Sequence, residues 1–216
     1  MQKQRSFITA IIVPVYCAFL TVIFAGIASS SYAEERTATF AGGCFWCSES
    51  DFEKLDGVIS VISGYTGGQL ENPTYKQVSS GKTGHTEGIQ IIFDSEIVSY
   101  STLLEYFWRS IDPIDGGGQF CDRGQQYRSE VFYHNQDQKE IAEKSRQALD
   151  KNAGLGAPIA TKITAASTFY PAEDYHQDYY LKNPIRYNYY RWGCGRDKRL
   201  EELWGTATAD NKPAGQ

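Results

Sequence analysis

The stretch Ala41-Gly42-Gly43-Cys44-Phe45-Trp46-Cys47 lies where a short apolar run ends and a helical pattern begins. Upstream, Thr37 to Ala41 predicts a strand; downstream, Phe45 to Leu55 predicts a helix with Phe52 and Leu55 facing inward. A strand-to-helix turn aims free backbone N–H groups and the positive end of a helix dipole at the side chain in the first helical position. Here that side chain is a thiol. Free cysteine titrates at roughly 8.5 and a helix N-terminus lowers this by one to several units, so Cys44 is expected to be a thiolate at neutral pH. Gly42 and Gly43 leave the approach to its sulfur uncluttered. Phe45 and Trp46 then supply an apolar wall with one polar N–H, suited to an uncharged, soft group such as a methyl thioether. Cys47 follows three residues after Cys44, which on a helix sets the Cβ atoms about 5 to 6 Å apart. A disulfide needs about 4 Å, so a modest adjustment closes the pair and the CxxC reads as redox-active.

Working outward, the 216 residues carry 41% apolar and 22% charged side chains, the profile of a globular chain with a proper core. A formal charge of −5 with no concentrated basic face argues against a nucleic-acid partner. The 15 tyrosines cluster late and read as half-buried rings with hydroxyls at a wet edge. Lys3 and Arg5, the nearly unbroken apolar run Phe7 to Ile27, and the small residues of Ser31-Tyr32-Ala33 predict an export signal cleaved after Ala33. The organisation is therefore a signal peptide over 1–33, one domain over 34–205 and a disordered tail over 206–216. Export to the periplasm or beyond is expected; left uncleaved, an apolar run of this length would anchor the protein in a membrane. Cys17 falls inside the signal, after Tyr16 where a lipoprotein site wants a small residue, and is read as inert. Cys44, Cys47, Cys121 and Cys194 remain, and an even count in an exported chain also fits structural disulfides.

Beyond the junction, Val58 to Ser63 predicts a buried strand ending in a loop, Gly64-Tyr65-Thr66-Gly67-Gly68. Asn72-Pro73-Thr74 reads as the start of a short helix with Asn72 as cap, carrying Tyr75 and Val78. Thr86 to Asp94 predicts a strand whose alternation groups Glu87 with Ile89, Ile91 and Phe93. A carboxyl on that apolar side is expected to be protonated and able to donate a hydrogen bond near neutral pH, whereas exposure at the strand's end would leave it ordinary. Leu103, Leu104, Phe107, Trp108 and Ile111 recur at helical spacing and mark a core-facing helix. The Gly-rich stretch Asp115 to Gly124 predicts a loop lining a cleft, Tyr127 to Tyr133 a strand, and Asn135 with Gln138 a capping box for a helix to about Lys151. Thr161 to Ala165 predicts a further strand. Aromatic and acidic residues mix densely from Phe169 to Tyr180, where His176 reads as a hydrogen-bonded structural group rather than a base.

Gly43-Cys44-Phe45-Trp46, Gly64-Tyr65-Thr66-Gly67-Gly68, Asn72-Pro73-Thr74-Tyr75, Thr83-Gly84-His85-Thr86-Glu87, Gln126-Tyr127-Arg128-Ser129 and Tyr170-Pro171-Ala172-Glu173-Asp174-Tyr175-His176-Gln177 together resemble the peptide methionine sulfoxide reductases of the A type. The resemblance runs from about Thr37 to Gly205. It implies an α+β fold, a mixed β-sheet with flanking helices in a two-layer ferredoxin-like sandwich, and reduction of methionine-S-sulfoxide, free or in proteins, as repair under oxidative stress. It also implies Cys44 as nucleophile, Phe45 and Trp46 as the wall around the substrate methyl, Glu87 as the acid on the sulfoxide oxygen, Tyr75 and Tyr127 as hydroxyl donors, and Asp122 as an acid lining the site. The chemistry agrees, because a sulfoxide sulfur is a poor electrophile until its oxygen is hydrogen-bonded or protonated. Attack leaves Cys44 as a sulfenic acid, which a second thiol condenses into a disulfide for an external dithiol to reduce.

Family members resolve the sulfenic acid either three residues on or near the C-terminus. Local geometry favours Cys47, with Cys194 in Trp192-Gly193-Cys194-Gly195 as the alternative, and Cys121 is read as a packed thiol. No metal is expected from three scattered histidines and a single CxxC, and Ser48 stands where a haem-attachment motif needs histidine. No cofactor is called for; the partners expected are the sulfoxide and a thioredoxin-like electron donor, and the chain is expected to be a monomer. Two other readings are a general thiol-disulfide oxidoreductase, which leaves Phe45, Trp46 and Glu87 unused, and an exported binding module with two structural bridges.

Overall fold

The computed structural model describes residues 35–152 and 154–205. The segments expected to be a signal peptide and a tail lie outside these residues. In chain order the elements are β1 (Glu35–Gly42), α1 (Phe45–Phe52), β2 (Val58–Thr66), α2 (Tyr75–Ser79), β3 (Thr86–Asp94), α3 (Tyr100–Arg109), the two-residue strands β4 (Gly118–Gln119) and β5 (Asp122–Arg123), β6 (Ser129–Tyr133), α4 (Gln136–Asn152), β7 (Lys162–Ala165), β8 (Tyr170–Pro171), α5 (Tyr179–Lys182), α6 (Pro184–Cys194) and α7 (Arg196–Trp204).

Six strands form one mixed sheet in the order β7-β6-β1-β3-β2-β8, with β6 and β7 parallel and every other neighbouring pair antiparallel. Its centre, β6-β1-β3-β2, joined as β1-α1-β2-β3-α3-β6, is the ferredoxin-like arrangement expected from the sequence. The alternation in β3 sets its register: Glu87, Ile89, Ile91 and Phe93 are all buried, and Glu87 faces Tyr65 of β2 across the ladder. Core packing joins these side chains to Phe40, Leu103, Leu104, Phe107 and Val131, with the Phe40 and Phe107 rings stacked at 4.8 Å. Each such side chain contributes about 1.5 to 3 kcal/mol by leaving water.

Several local expectations change. Helix α1 stops at Phe52 rather than Leu55. Strand β2 runs on through Gly64, Tyr65 and Thr66, because β3 extends far enough to pair with all three. Asn72 takes a left-handed conformation with φ of 47°, and Thr74 caps α2 through a reciprocal pair with Gln77. The Gly-rich stretch carries the small β4–β5 hairpin. Gln138 N–H does bond the Asn135 side chain, but its own amide oxygen takes His134 N–H instead of closing the box. Helices α6 and α7 have no counterpart among the sequence expectations.

Candidate active site

The site is built at the junction of β1 and α1. Gly43 has φ of +84°, and a Cβ there would meet the Gln119 side chain at 2.6 Å, so only glycine lets the strand turn into the helix here. Cys44 is the N-cap of α1 rather than its first helical residue, and its carbonyl accepts Cys47 N–H at 3.2 Å. Its side chain is only 6% exposed, which overturns the expectation of a resting thiolate: burial pushes the thiol well above its ordinary value, and the neighbouring Cys47, Glu87 and Asp122 add to the rise. Desolvation of a small anion outweighs the helix dipole. Cys47 moves the other way, lowered chiefly by its hydrogen bond with Cys44, with the cations of Arg196 and Arg191 helping against burial. Both sulfurs are free.

Glu87 lies against this pair, its Oε2 accepting Phe45 N–H at 3.1 Å. Burial lifts its carboxyl to about 8 despite that bond, so it carries its proton at neutral pH, as its place in the β3 alternation predicts. Tyr75, from α2, and Tyr127, from the 3-10 turn before β6, are hydrogen-bonding neighbours; burial and then the Glu87 charge raise both phenols, Tyr75 to about 12. Both remain neutral donors. Asp122, on β5, is raised by burial and accepts the Tyr190 hydroxyl, a phenol that burial and then the nearby Cys44 raise.

The Phe45 ring packs on Tyr65 and on His176, with centroids 5.9 and 5.0 Å away. Trp46 stacks on Tyr179 at 3.7 Å, and its indole N–H donates to His176 Nδ1 at 3.0 Å. His176, whose titration burial lowers, is thus the structural hydrogen-bonding group expected of it. Glu173 ties this layer down: one carboxylate oxygen accepts Tyr65 hydroxyl at 2.8 Å, the other Tyr75 N–H at 2.9 Å.

Cys44, Cys47, Phe45, Trp46, Tyr75, Glu87, Asp122 and Tyr127 therefore gather in one place. Cys194 lies at its edge, its sulfur 3.9 Å from Asp122 Oδ2. It is joined in a disulfide to Cys121, so Cys121 is not the packed thiol the sequence suggested. The hairpin turn between β4 and β5 brings it to the end of α6, a contact across 73 residues. With the two sulfurs bonded to each other, the cluster of Cys121, Asp122 and Cys194 offers no pair of thiolates to a metal. Tyr190 and the arginines of α6 and α7 have no counterpart among the sequence expectations, and the only signal near them is the dense aromatic run that ends at Tyr179 and Tyr180.

A buried thiol pair, a protonated carboxyl and neutral phenols around an aromatic wall on a ferredoxin-like sheet define a thiol-dependent oxidoreductase. The sequence pattern of the family described as peptide methionine sulfoxide reductase matches residues 36–208. The peptide methionine sulfoxide reductase MsrA of Bacillus licheniformis is 53% identical over 80% of this chain and 96% of its own length. MsrA/MsrB of Vibrio cholerae is 56% identical over 82% of this chain, which spans 47% of that longer relative. Among solved structures, methionine sulfoxide reductase A of Corynebacterium diphtheriae superposes with a TM-score of 0.65 at 32% identity, over 72% of this chain and 78% of that one. Reduced Mxr1 of Saccharomyces cerevisiae gives 0.64 at 33% identity, over 69% and 86%. The chain belongs to the peptide methionine sulfoxide reductase family, and its activity is the thiol-dependent reduction of methionine sulfoxide.

Proposed function

We propose that the S epimer of the sulfoxide binds with its methyl against Phe45 and Trp46 and its oxygen toward Glu87, Tyr75 and Tyr127. The protonated state of Glu87 beside the Cys44 pair carries this reading. Neutral donors strengthen their hold as the oxygen gains charge, and Glu87 has a proton to give. Cys44 gives up its proton along its hydrogen bond to Cys47 as it attacks sulfur, and hydrogen bonding of the sulfoxide oxygen to the neutral donors drives this transfer against the two thiols' shifts. The balance is Cys44 thiol plus sulfoxide to Cys44 sulfenic acid plus thioether. Cys47, already hydrogen-bonded to Cys44, then condenses with the sulfenic acid and releases water; Cys194 is the alternative resolver. The test is incubation with each pure epimer of a methionine sulfoxide derivative and dithiothreitol. Only the S epimer should be consumed; loss of the R epimer, or of neither, overturns the reading.

The reductant is proposed to be a thioredoxin-like donor. The sequence of residues 1–33 supports export and cleavage after Ala33, which the N-terminal residue of the secreted protein would test. Since a cytosolic donor cannot reach an exported enzyme, the electrons would come through the membrane. Turnover that persists in a strain lacking every exported thioredoxin-fold protein would refute this.

A further inference from the structure

We infer that Glu173 is a positioning residue for the reduction step: it holds the main chain of Tyr75 so that the Tyr75 hydroxyl meets the sulfoxide oxygen. This role rests on Tyr75 as a donor to that oxygen. Helix α2, which carries Tyr75, has five residues, and only Val78 among them is fully buried. A helix that short does not hold its shape in water, so its place comes from contacts with the rest of the protein. The pairing of Thr74 with Gln77 is local and exposed; it shapes the first turn without tying it to the sheet. At the far end of α2, Gln126 Nε2 donates to the Ser79 carbonyl at 3.3 Å. At the near end, Tyr75 N–H is a first-turn donor with no acceptor inside the helix. It donates to Glu173 Oε1 at 2.9 Å, across 98 residues of chain.

The carboxylate is itself fixed. Strand β8 pairs Tyr170 and Pro171 with Tyr65 and Gly64 of β2, and Ala172 N–H donates to the Ser63 carbonyl at 2.9 Å. The Gln177 side chain accepts Ser63 N–H and donates to Ser63 O, each at 2.9 Å. Glu173 falls inside this clamped run, and its second oxygen accepts the Tyr65 hydroxyl at 2.8 Å. Burial works against its charge, yet the bonds from Tyr75 N–H and the Tyr65 hydroxyl hold the carboxyl below its ordinary value, and donors bind an anion more tightly than a neutral acceptor. The tie therefore runs from the central sheet, through one carboxylate, to the backbone that carries the phenol.

The Tyr75 ring rests on Phe45 and His176, with centroids 6.5 and 4.4 Å away. Ring contacts resist tilting more than sliding, so the backbone bond sets how far the hydroxyl reaches. A misplacement on the order of 1 Å at a reacting group slows a reaction by about 100-fold.

The experiment is a double-mutant cycle on the first methionine released at saturating sulfoxide. Tyr75→Phe should slow it by about 100-fold, as the loss of one donor to the oxygen. Glu173→Ala should slow it by about 10- to 100-fold, and the double variant should be within about twofold of Tyr75→Phe alone, because Glu173 acts through that hydroxyl. In Glu173→Gln the amide oxygen can accept Tyr75 N–H while the amide N–H donates to the Tyr65 oxygen, so the rate should return to within about threefold of wild type. Alkylation of Cys44, which a general loosening of the site would speed, should keep its wild-type rate in Glu173→Ala. If Glu173→Ala does not fold, Glu173→Asp, with the charge on a side chain one methylene shorter, replaces it in the cycle. With Tyr75→Phe slow, a wild-type rate in Glu173→Ala, losses that multiply in the double variant, faster alkylation, or a Glu173→Gln as slow as the alanine variant overturns the positioning role and leaves the donor reading intact. A wild-type rate in Tyr75→Phe overturns the donor reading, and the role of Glu173 with it.

Discussion

Replacing Glu87 by glutamine tests the acid and its burial together. The carboxyl titrates at about 8 in the folded protein against 4.5 for the ordinary group. Between those values the folded chain holds a proton that the unfolded chain has released, so raising the pH favours unfolding across this window. At about 1.4 kcal/mol per pH unit, wild type should lose on the order of 3 kcal/mol between pH 5 and pH 8 from this one group. Glutamine carries no charge at any pH, so that loss should vanish from the variant. Activity should fall in the same direction. Wild type keeps Glu87 roughly nine-tenths protonated at pH 7 and one-tenth at pH 9, which predicts a limb that falls as pH rises through about 8. The variant can still hydrogen-bond the sulfoxide oxygen but has no proton to deliver; it should lose about 10- to 1000-fold in the sulfoxide-reduction step and lose the limb. The assays are urea unfolding of both proteins at pH 5 and pH 8, and single-turnover methionine release from pH 6 to 9.5. A variant with the wild-type rate, or with the same falling limb, would show that Glu87 is not the acid; an unchanged pH dependence of stability would show that it is not protonated by burial.

Cys44→Ser should abolish methionine release, and any residual turnover above background would move the nucleophile elsewhere. Cys47→Ser should release one methionine per chain and then stop with a protein donor; undiminished multiple turnover would remove Cys47 as resolver. Arg196→Met leaves the buried carbonyls of Gly42 and Ser110 without their donors and should cost about 2 to 4 kcal/mol by urea unfolding, against no measurable loss if the guanidinium is idle. Gly43→Ala forces an L side chain to φ of +84° and its Cβ into Gln119; it should cost about 2 kcal/mol or more and slow the reaction, and a fully stable, active variant would refute the turn geometry.

The sequence by itself determined the parts whose causes are local. A period of two in Thr86 to Asp94 marks β3 and groups Glu87 with its apolar side chains, and a period near 3.6 marks α3; that Glu87 is buried rather than exposed at the strand's end rests on the packing around it. Motif order was enough for the family, because side chains that must surround one small substrate recur at set places in the chain. Tertiary structure alone decided what depends on distant neighbours. Helix position argued for a Cys44 thiolate, but burial of that sulfur, with Cys47, Glu87 and Asp122 beside it, keeps the proton on. The pairing of Cys121 with Cys194 depends on a hairpin meeting a helix end 73 residues later, which no local pattern encodes. Docking of α6 and α7 set Tyr190 against Asp122 near Cys44 and buried Arg196 where its charge acts on Cys47, since burial and electrostatics act through space, not along the chain.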